Sequence, residues 1–475
     1  MSSSITALIY LVVLVDQIQC QFGSIGNAQG DMMSGCPLIP GIPTFSGRAY
    51  VKSIGQTVPT STNIDLLPGM NDLAADRLVN SGFDLNKPTV LYSHGWQETA
   101  ELGWLQTIRE RYATQYPPGD KPFNLLQYDW SCASHFMYPQ AVMSAPILGQ
   151  RLGSFLNTLH DKYNYSMSNM HLVGFSLSTH IMGAAGRELK NAGNTARQIT
   201  ALDSAGPCFY TNTAFARANT LSPDAAEQVV ARHYGDNKYG ARRPIGGVDI
   251  FVNGGKNQPS MMPTGRRKRD IPDLAGLRDH VSTEMHEYNT VAHRDDDTCQ
   301  SIAYRCDSYA KFLQGSCATC DQPTDCYHID TFHQTENFRN SSANIRYPPN
   351  TKMFIQTAPG HRCLHHYQVV VRSKDGADSI LRSGRAKIDL GSGVVATPQG
   401  QVTCRDGSAA YTALVTSPVE MSSASATLRA MSASDIDSVQ LNYLSHKDKG
   451  IRDSKSMTLC PSGSQLVRGS CNQAC

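Results

Sequence analysis

An α/β domain built on a mostly parallel sheet, followed by a smaller all-β sandwich, is the fold class predicted for this chain of 475 residues. Three observations predict it. Strand-like and helix-like segments alternate from about residue 88 to 203, and a serine sits where one such strand meets one such helix. From about residue 351 helical periodicity gives way to short β-prone runs. Length alone favours two domains. With 40% hydrophobic and 17% charged residues, the composition is globular and neither disordered nor coiled-coil. A formal charge of +2 supplies no global field to hold nucleic acid, so no nucleic-acid partner is expected.

The first element is the apolar run ITALIYLVVLV at residues 5–15. It is too short to span a bilayer as a helix and of the length of a secretory core, so residues 1–20 are expected to be a signal peptide. No later run approaches 18 apolar residues, and the mature chain is expected to be secreted, extracellular and not transmembrane. Fourteen cysteines fit an oxidising compartment, and Asn164 (NYS) and Asn340 (NSS) are glycosylation sequons. Residues 21–350 are assigned to the α/β domain. Residues 89–92 and 125–128 read as strands, and Leu148, Leu152, Phe155, Leu156 and Leu159 share one helical face. HLVGF and QITALD follow as strands, with a helix through Ile181 and Leu189 between them. In the second domain, residues 351–475, MFIQT, HYQVVV, AKIDLG, YTALV and SVQLNYL are the strands, and RYPPNT before them is a hinge.

The chemistry centres on HLVGFSLSTH, residues 171–180. A serine on a tight strand-to-helix turn is pushed outward, and the helix beneath offers free N–H groups to developing negative charge. Ser176 is therefore the candidate nucleophile. Such a serine needs a base, and the base needs an orienting carboxylate, in the chain order Ser, Asp, His where an α/β-hydrolase fold carries the triad. Asp203 ends the next strand at the same sheet edge; its alternative role is an ordinary turn before Gly206-Pro207. The strand-end LYSHGW supplies an oxyanion donor, the Trp96 N–H, to pair with the Leu177 N–H.

Taken together, HLVGFSLSTHIMGAAGR, RQITALDSAGPCF, LYSHGW with YDWSCAS, and VDIFVNGGKNQP resemble the secreted pancreatic-lipase superfamily over about residues 50–375. MFIQTAPGHRCLHHYQVVV resembles the start of that family's PLAT-like β-sandwich. The resemblance implies an α/β-hydrolase domain and a secreted esterase, either a triacylglycerol lipase or an sn-1 phospholipase. Such an enzyme works through an acyl-enzyme on lipid substrate at a membrane or lipoprotein surface. Some members have lost catalysis, so the alternative is an inactive homologue that binds lipid or serves as a storage or scaffold protein. Ser178, standing where the elbow motif has Gly, keeps that alternative open.

The resemblance also locates the base. The family's disulfide knuckle matches residues 306–326, implying bonds Cys306–Cys317 and Cys320–Cys326. Counting back over a loop and the helix VSTEMHEYNTV reaches His280, with His286 and His293 as alternatives. In this register the lid is 261–278, Met261 and Arg278 replace its closing cysteines, and Ser282 replaces the usual Arg. The lid holds the basic run Arg266, Arg267, Lys268, Arg269. That run is a solvated loop, a contact for anionic lipid or another polyanion, or a site for a dibasic processing protease. By analogy, a short lid and a short preceding loop favour phospholipid. Where the family has a calcium loop, Arg217, Thr220, Ser222 and Ala225 stand at ligand positions and only Asp224 is acidic, so no metal and no cofactor is expected. Removal of Cys20 leaves an odd number of cysteines, predicting a free or intermolecular thiol among Cys132, Cys208 and Cys299.

Overall fold

A computed structural model describes residues 49–471 except 56–60, 118, 236–238, 260–271, 293–299, 318–319, 321, 340–344, 359–360, 362, 375–377, 392, 405, 422–424, 445–456 and 463–464. Eleven strands form the first sheet. They are β1 (Tyr50–Ile54), β2 (Ser61–Asp65), β3 (Thr89–Ser93), β4 (Asn124–Asp129), β5 (Met170–Phe175) and β6 (Gln198–Leu202), then β7 (Gln228–His233), β8 (Val248–Val252), β9 (Ile302–Arg305), β10 (Cys326–His328) and β11 (Thr351–Ile355). Their order is β10-β9-β11-β8-β7-β6-β5-β3-β4-β1-β2. The block from β11 to β4 is parallel throughout, and antiparallel pairs close both edges.

Central strands such as β3, β5 and β6 are buried at every residue, which requires cover on both faces. Leu91, Leu126, Leu172 and Ile199 point to one side, and Val90, Leu125, Val173 and Leu202 to the other. Helices α1 (Asn71–Asn80), α3 (Tyr138–Tyr163) and α4 (Ser178–Asn191) cover the first side. Helices α2 (Trp104–Gln115) and α5 (Pro272–Ala292) cover the second. Pro139 opens α3 within its first turn, and Asn164 closes it in the left-handed conformation. The sequon residue Asn164 is exposed. Gly149 lets α3 lie against α4, because a Cβ there would sit 2.4 Å from the Ile181 carbonyl oxygen. That contact seats the helix that follows Ser176.

The second sheet has nine strands, all paired antiparallel, between His365 and Arg468. Tyr367, Val369 and Val371 alternate inward on its strand His365–Ser373 and share one apolar cluster with Ile388, Val415, Leu441 and Leu459 of other strands. The boundary expected at residue 351 is displaced. Thr351–Ile355 pairs in parallel with β8 and antiparallel with β9, inside the first sheet. A short apolar run buried on both faces carries no local sign of which sheet it joins. The two sheets meet along an apolar seam of Tyr304, Phe312, Phe354, Leu414 and Leu444, where Gln368 Nε2 also donates to the Gly315 carbonyl at 2.6 Å.

Cys306–Cys317 and Cys320–Cys326 are bonded, as are Cys460 and Cys471. Cys132 and Cys208, two of the three candidates for a free thiol, are disulfide-bonded, so counting cysteines after the presumed leader misassigned them. Cys299 lies outside the described residues, as do residues 1–20, the basic run Arg266–Arg269, Met261, His293 and Asn340. Residues 272–278 of the expected lid belong to α5. Among the described residues no helix is long and apolar enough to cross a membrane.

Candidate active site

Sheet register assembles the site. Phe175 pairs with Leu202, and Leu202 with Arg232, so the residues that follow β5 and β6 emerge side by side at one sheet edge. Ser176 follows β5 with φ +55°, a left-handed conformation rare outside glycine. The turn is tight enough that a Cβ on Gly174 would lie 2.8 Å from the Ser178 carbonyl. Ser178, wholly buried, serves the turn directly. Its Oγ accepts from Phe175 N at 2.9 Å and donates to the Ser93 carbonyl at 3.0 Å, stitching the elbow to the end of β3. The departure from Gly is thus accommodated with its hydroxyl satisfied.

Asp203, with φ +42°, is fully buried. Its Oδ1 accepts from Tyr234 N at 2.8 Å, and Gly235 N reaches both carboxylate oxygens at 3.1 Å. Its Oδ2 lies 2.6 Å from His280 Nδ1. A carboxylate only accepts, so Nδ1 carries the proton and Nε2 is a free acceptor, 2.8 Å from Ser176 Oγ. Ser176, Asp203 and His280 therefore stand in one hydrogen-bonded line. His286 is elsewhere: its Nδ1 is bonded to Tyr234 OH, and burial pushes its pKa down to about 3, leaving it neutral.

The two N–H groups assigned to the oxyanion donate to no other described group: neither Trp96 N nor Leu177 N has a hydrogen-bond acceptor among the described residues. A buried backbone N–H such as that of Leu177 is rarely left unpaired without a use. The loop that bears Trp96 is clamped from three sides. Gly95 N donates to Glu98 Oε2 at 2.7 Å, Gln97 N to the Ser134 carbonyl at 3.0 Å, and Trp96 Nε1 to the Phe136 carbonyl at 2.8 Å. His94, wholly buried, stacks on Trp130 and accepts its N–H at Nε2, so its own proton lies at Nδ1 and points to the Gly95 carbonyl. Burial depresses its pKa, and it is a strut of the loop.

Sequence reasoning passed over the groups that hold the triad. Asp279 anchors α5 by accepting from Asn257 N at 2.9 Å and Gln258 N at 2.8 Å. Ser282 donates to the Asp279 carbonyl at 2.6 Å. Tyr234 and Gly235 carry only the weak signal of a glycine after a strand. In the loop read as lacking a calcium site, Asp224 is bound by Lys190, and Arg187 and Lys190 donate to the Thr220 and Asp224 carbonyls.

One turn beyond His280, Glu284 faces Glu98. Burial, then the Glu98 charge and a hydrogen bond to it, push the Glu284 pKa well above the ordinary carboxyl range. A folded-state pKa raised above the unfolded one contributes stability that is complete at low pH and is lost as pH rises towards the folded value. Wild-type protein is therefore expected to lose resistance to urea as pH rises through and above the ordinary carboxyl range, and Glu284→Gln to lose less. Parallel pH curves for the two proteins would contradict this account.

Residues 64–357 match the Lipase family. Lipoprotein lipase of Gallus gallus is 29% identical over 318 residues, covering 64% of this chain and 60% of that protein. Hepatic triacylglycerol lipase of Oryctolagus cuniculus is 32% identical over 267 residues, covering 54% and 52%. The chain thus spans between half and two thirds of these relatives. An esterase of Pyrobaculum calidifontis, 12% identical with a TM-score of 0.23 over 39% of this chain and 66% of its own, is too slight a likeness to carry an argument.

Proposed function

This chain belongs to the Lipase family, and from that membership together with the Ser176–His280–Asp203 line we propose that it is a secreted hydrolase of carboxylic esters in lipids. The single observation that carries the proposal is the free acceptor nitrogen of His280 at 2.8 Å from Ser176 Oγ. In the reaction, His280 Nε2 takes the Ser176 proton as Oγ attacks the ester carbonyl. Asp203 keeps the other imidazole proton at Nδ1 and stabilises the cation that forms. Trp96 and Leu177 N–H groups meet the developing oxyanion. His280 then protonates the departing alcohol, and by the reverse sequence activates the water that cleaves the acyl-enzyme.

A lipid surface is the favoured setting. Leu277, Val281 and Met285 recur every four residues on α5, the helix of His280, and are 40%, 39% and 46% exposed. Met137, 48% exposed, precedes Tyr138, whose ring packs edge-on against Trp96. Exposed apolar side chains on the helix that carries His280 favour an ester presented at an interface over one free in water. The exposed sequon at Asn164 accords with passage through the secretory route.

The test is labelling by an alkyl organophosphonate of protein collected from culture medium, followed by peptide mapping, with emulsified triacylglycerol and phosphatidylcholine vesicles assayed in parallel. Label on Ser176 with fatty acid release from either lipid is the expected result, and the ratio of the two rates assigns the substrate. Folded protein that takes no label and releases no fatty acid would instead be the lipid-binding homologue.

A further inference from the structure

Glu287 is wholly buried on α5 and touches none of the groups assigned to substrate. Its carboxylate nevertheless joins three parts of the site. Oε1 accepts from Tyr92 OH at 2.6 Å, and Oε2 from Arg232 Nη1 at 2.5 Å. The guanidinium continues through Nη2 to the Ile329 carbonyl at 2.6 Å and Thr331 Oγ1 at 3.1 Å. Tyr92 and Arg232 are fully buried as well.

Each partner stands next to a working group. Tyr92 lies on β3, four residues before the Trp96 N–H. Arg232 lies near the end of β7, two and three residues before the Tyr234 and Gly235 N–H groups that hold Asp203; its carbonyl also accepts from Asp203 N at 2.9 Å. Glu287 is seven residues after His280, two turns along the same helix and so on the same face. One carboxylate therefore ties the His280 helix to the strand behind the oxyanion loop and to the strand behind Asp203.

We propose that Glu287, held by Arg232 and Tyr92, is a positioning residue that sets His280 in line between Asp203 and Ser176. The reading rests on the proposed hydrolase. A salt bridge kept only to hold the fold could be exchanged for apolar side chains of similar volume, often without loss of stability. A pair that sets the imbalance-sensitive placement of a base could not, because a displacement of about 1 Å costs on the order of 100-fold in rate.

The experiment compares the full-length wild type with Glu287→Gln, the double variant Arg232→Met/Glu287→Met, and Tyr92→Phe. Thermal midpoint, kcat and KM on a short-chain nitrophenyl ester, and the far-downfield NMR resonance of the His280 Nδ1 proton are measured. Glu287→Gln is expected to lose both stability and kcat. The double variant is expected to regain stability while kcat stays about 10- to 100-fold low, with KM unchanged and the resonance shifted or broadened. Recovery of kcat and of the resonance along with stability overturns the proposal. If the buried charge leaves those proteins unfolded, Tyr92→Phe decides: it keeps the ion pair and is expected to shift the resonance and lower kcat severalfold, and an unchanged resonance with unchanged kcat overturns the proposal. A wild type inert to ester and phosphonate refutes the hydrolase, yet the resonance still reports whether Glu287 positions His280.

Discussion

Ser176→Ala is expected to lower kcat on a soluble ester by on the order of 10⁵- to 10⁶-fold, with the protein still folded. Oγ is the atom that becomes covalently bonded, and removing it leaves His280 Nε2 without a proton to take. The fold should tolerate the change. The strained φ of +55° is no worse for Ala than for Ser, and the main-chain bonds of the turn, Ser176 N to the Leu202 carbonyl at 2.9 Å and Ala205 N to the Ser176 carbonyl at 3.1 Å, do not involve the hydroxyl. Initial rates against enzyme concentration, with phosphonate labelling beside them, check the result. A variant that retained more than about a hundredth of wild-type kcat would place the nucleophile elsewhere, since no triad with its serine removed keeps so much.

Asp203→Asn should cost about 10⁴-fold in kcat, and here the geometry dictates the reason. Two backbone donors, Tyr234 N and Gly235 N, converge on Oδ1, so the amide oxygen of Asn must occupy that place. Its NH2 then faces His280 Nδ1, which must accept. The imidazole proton is driven to Nε2, where it points at Ser176 Oγ and can no longer act as base. Because the side chain keeps its size and its two main-chain donors, thermal stability should change little. A small drop in kcat would mean that the tautomer is not set by Asp203.

Ser176 and Asp203 were legible because each sits on a local pattern, a serine between strand and helix and an acid at the next strand end, whereas His280 was reached only through the resemblance of residues 306–326 to the family's disulfide knuckle. The turn itself could be inferred because tight strand-to-helix geometry demands small residues at Gly174 and Ser178. The groups that hold the triad were not legible. Glu287 reads as one polar residue on a helix face, and Arg232 as a charge in a strand, where both would ordinarily be solvated. Only the meeting of β3, β7 and α5, whose residues lie 195 and 55 positions apart along the chain, turns them into a buried pair. The displaced domain boundary has a similar origin. Thr351–Ile355 has the texture of the strands after it, while its partners are fixed by β8 and β9, far behind it in sequence.

That strand also governs the order in which the catalytic sheet can be finished. β9 and β10 are made before β11, but β11 lies between them and β8. As a chain grows from its N-terminus, the hairpin of β9 and β10 has no place to dock until residue 355 has been made. Eight strands, among them the two that lead into Ser176 and Asp203, can align earlier, largely through parallel ladders that close long loops and form slowly. Between those moments an unpaired edge of β8 is open to a foreign strand. A chain truncated at residue 350 is therefore expected to aggregate, whereas one extended through residue 355 carries the strand that covers the edge of β8.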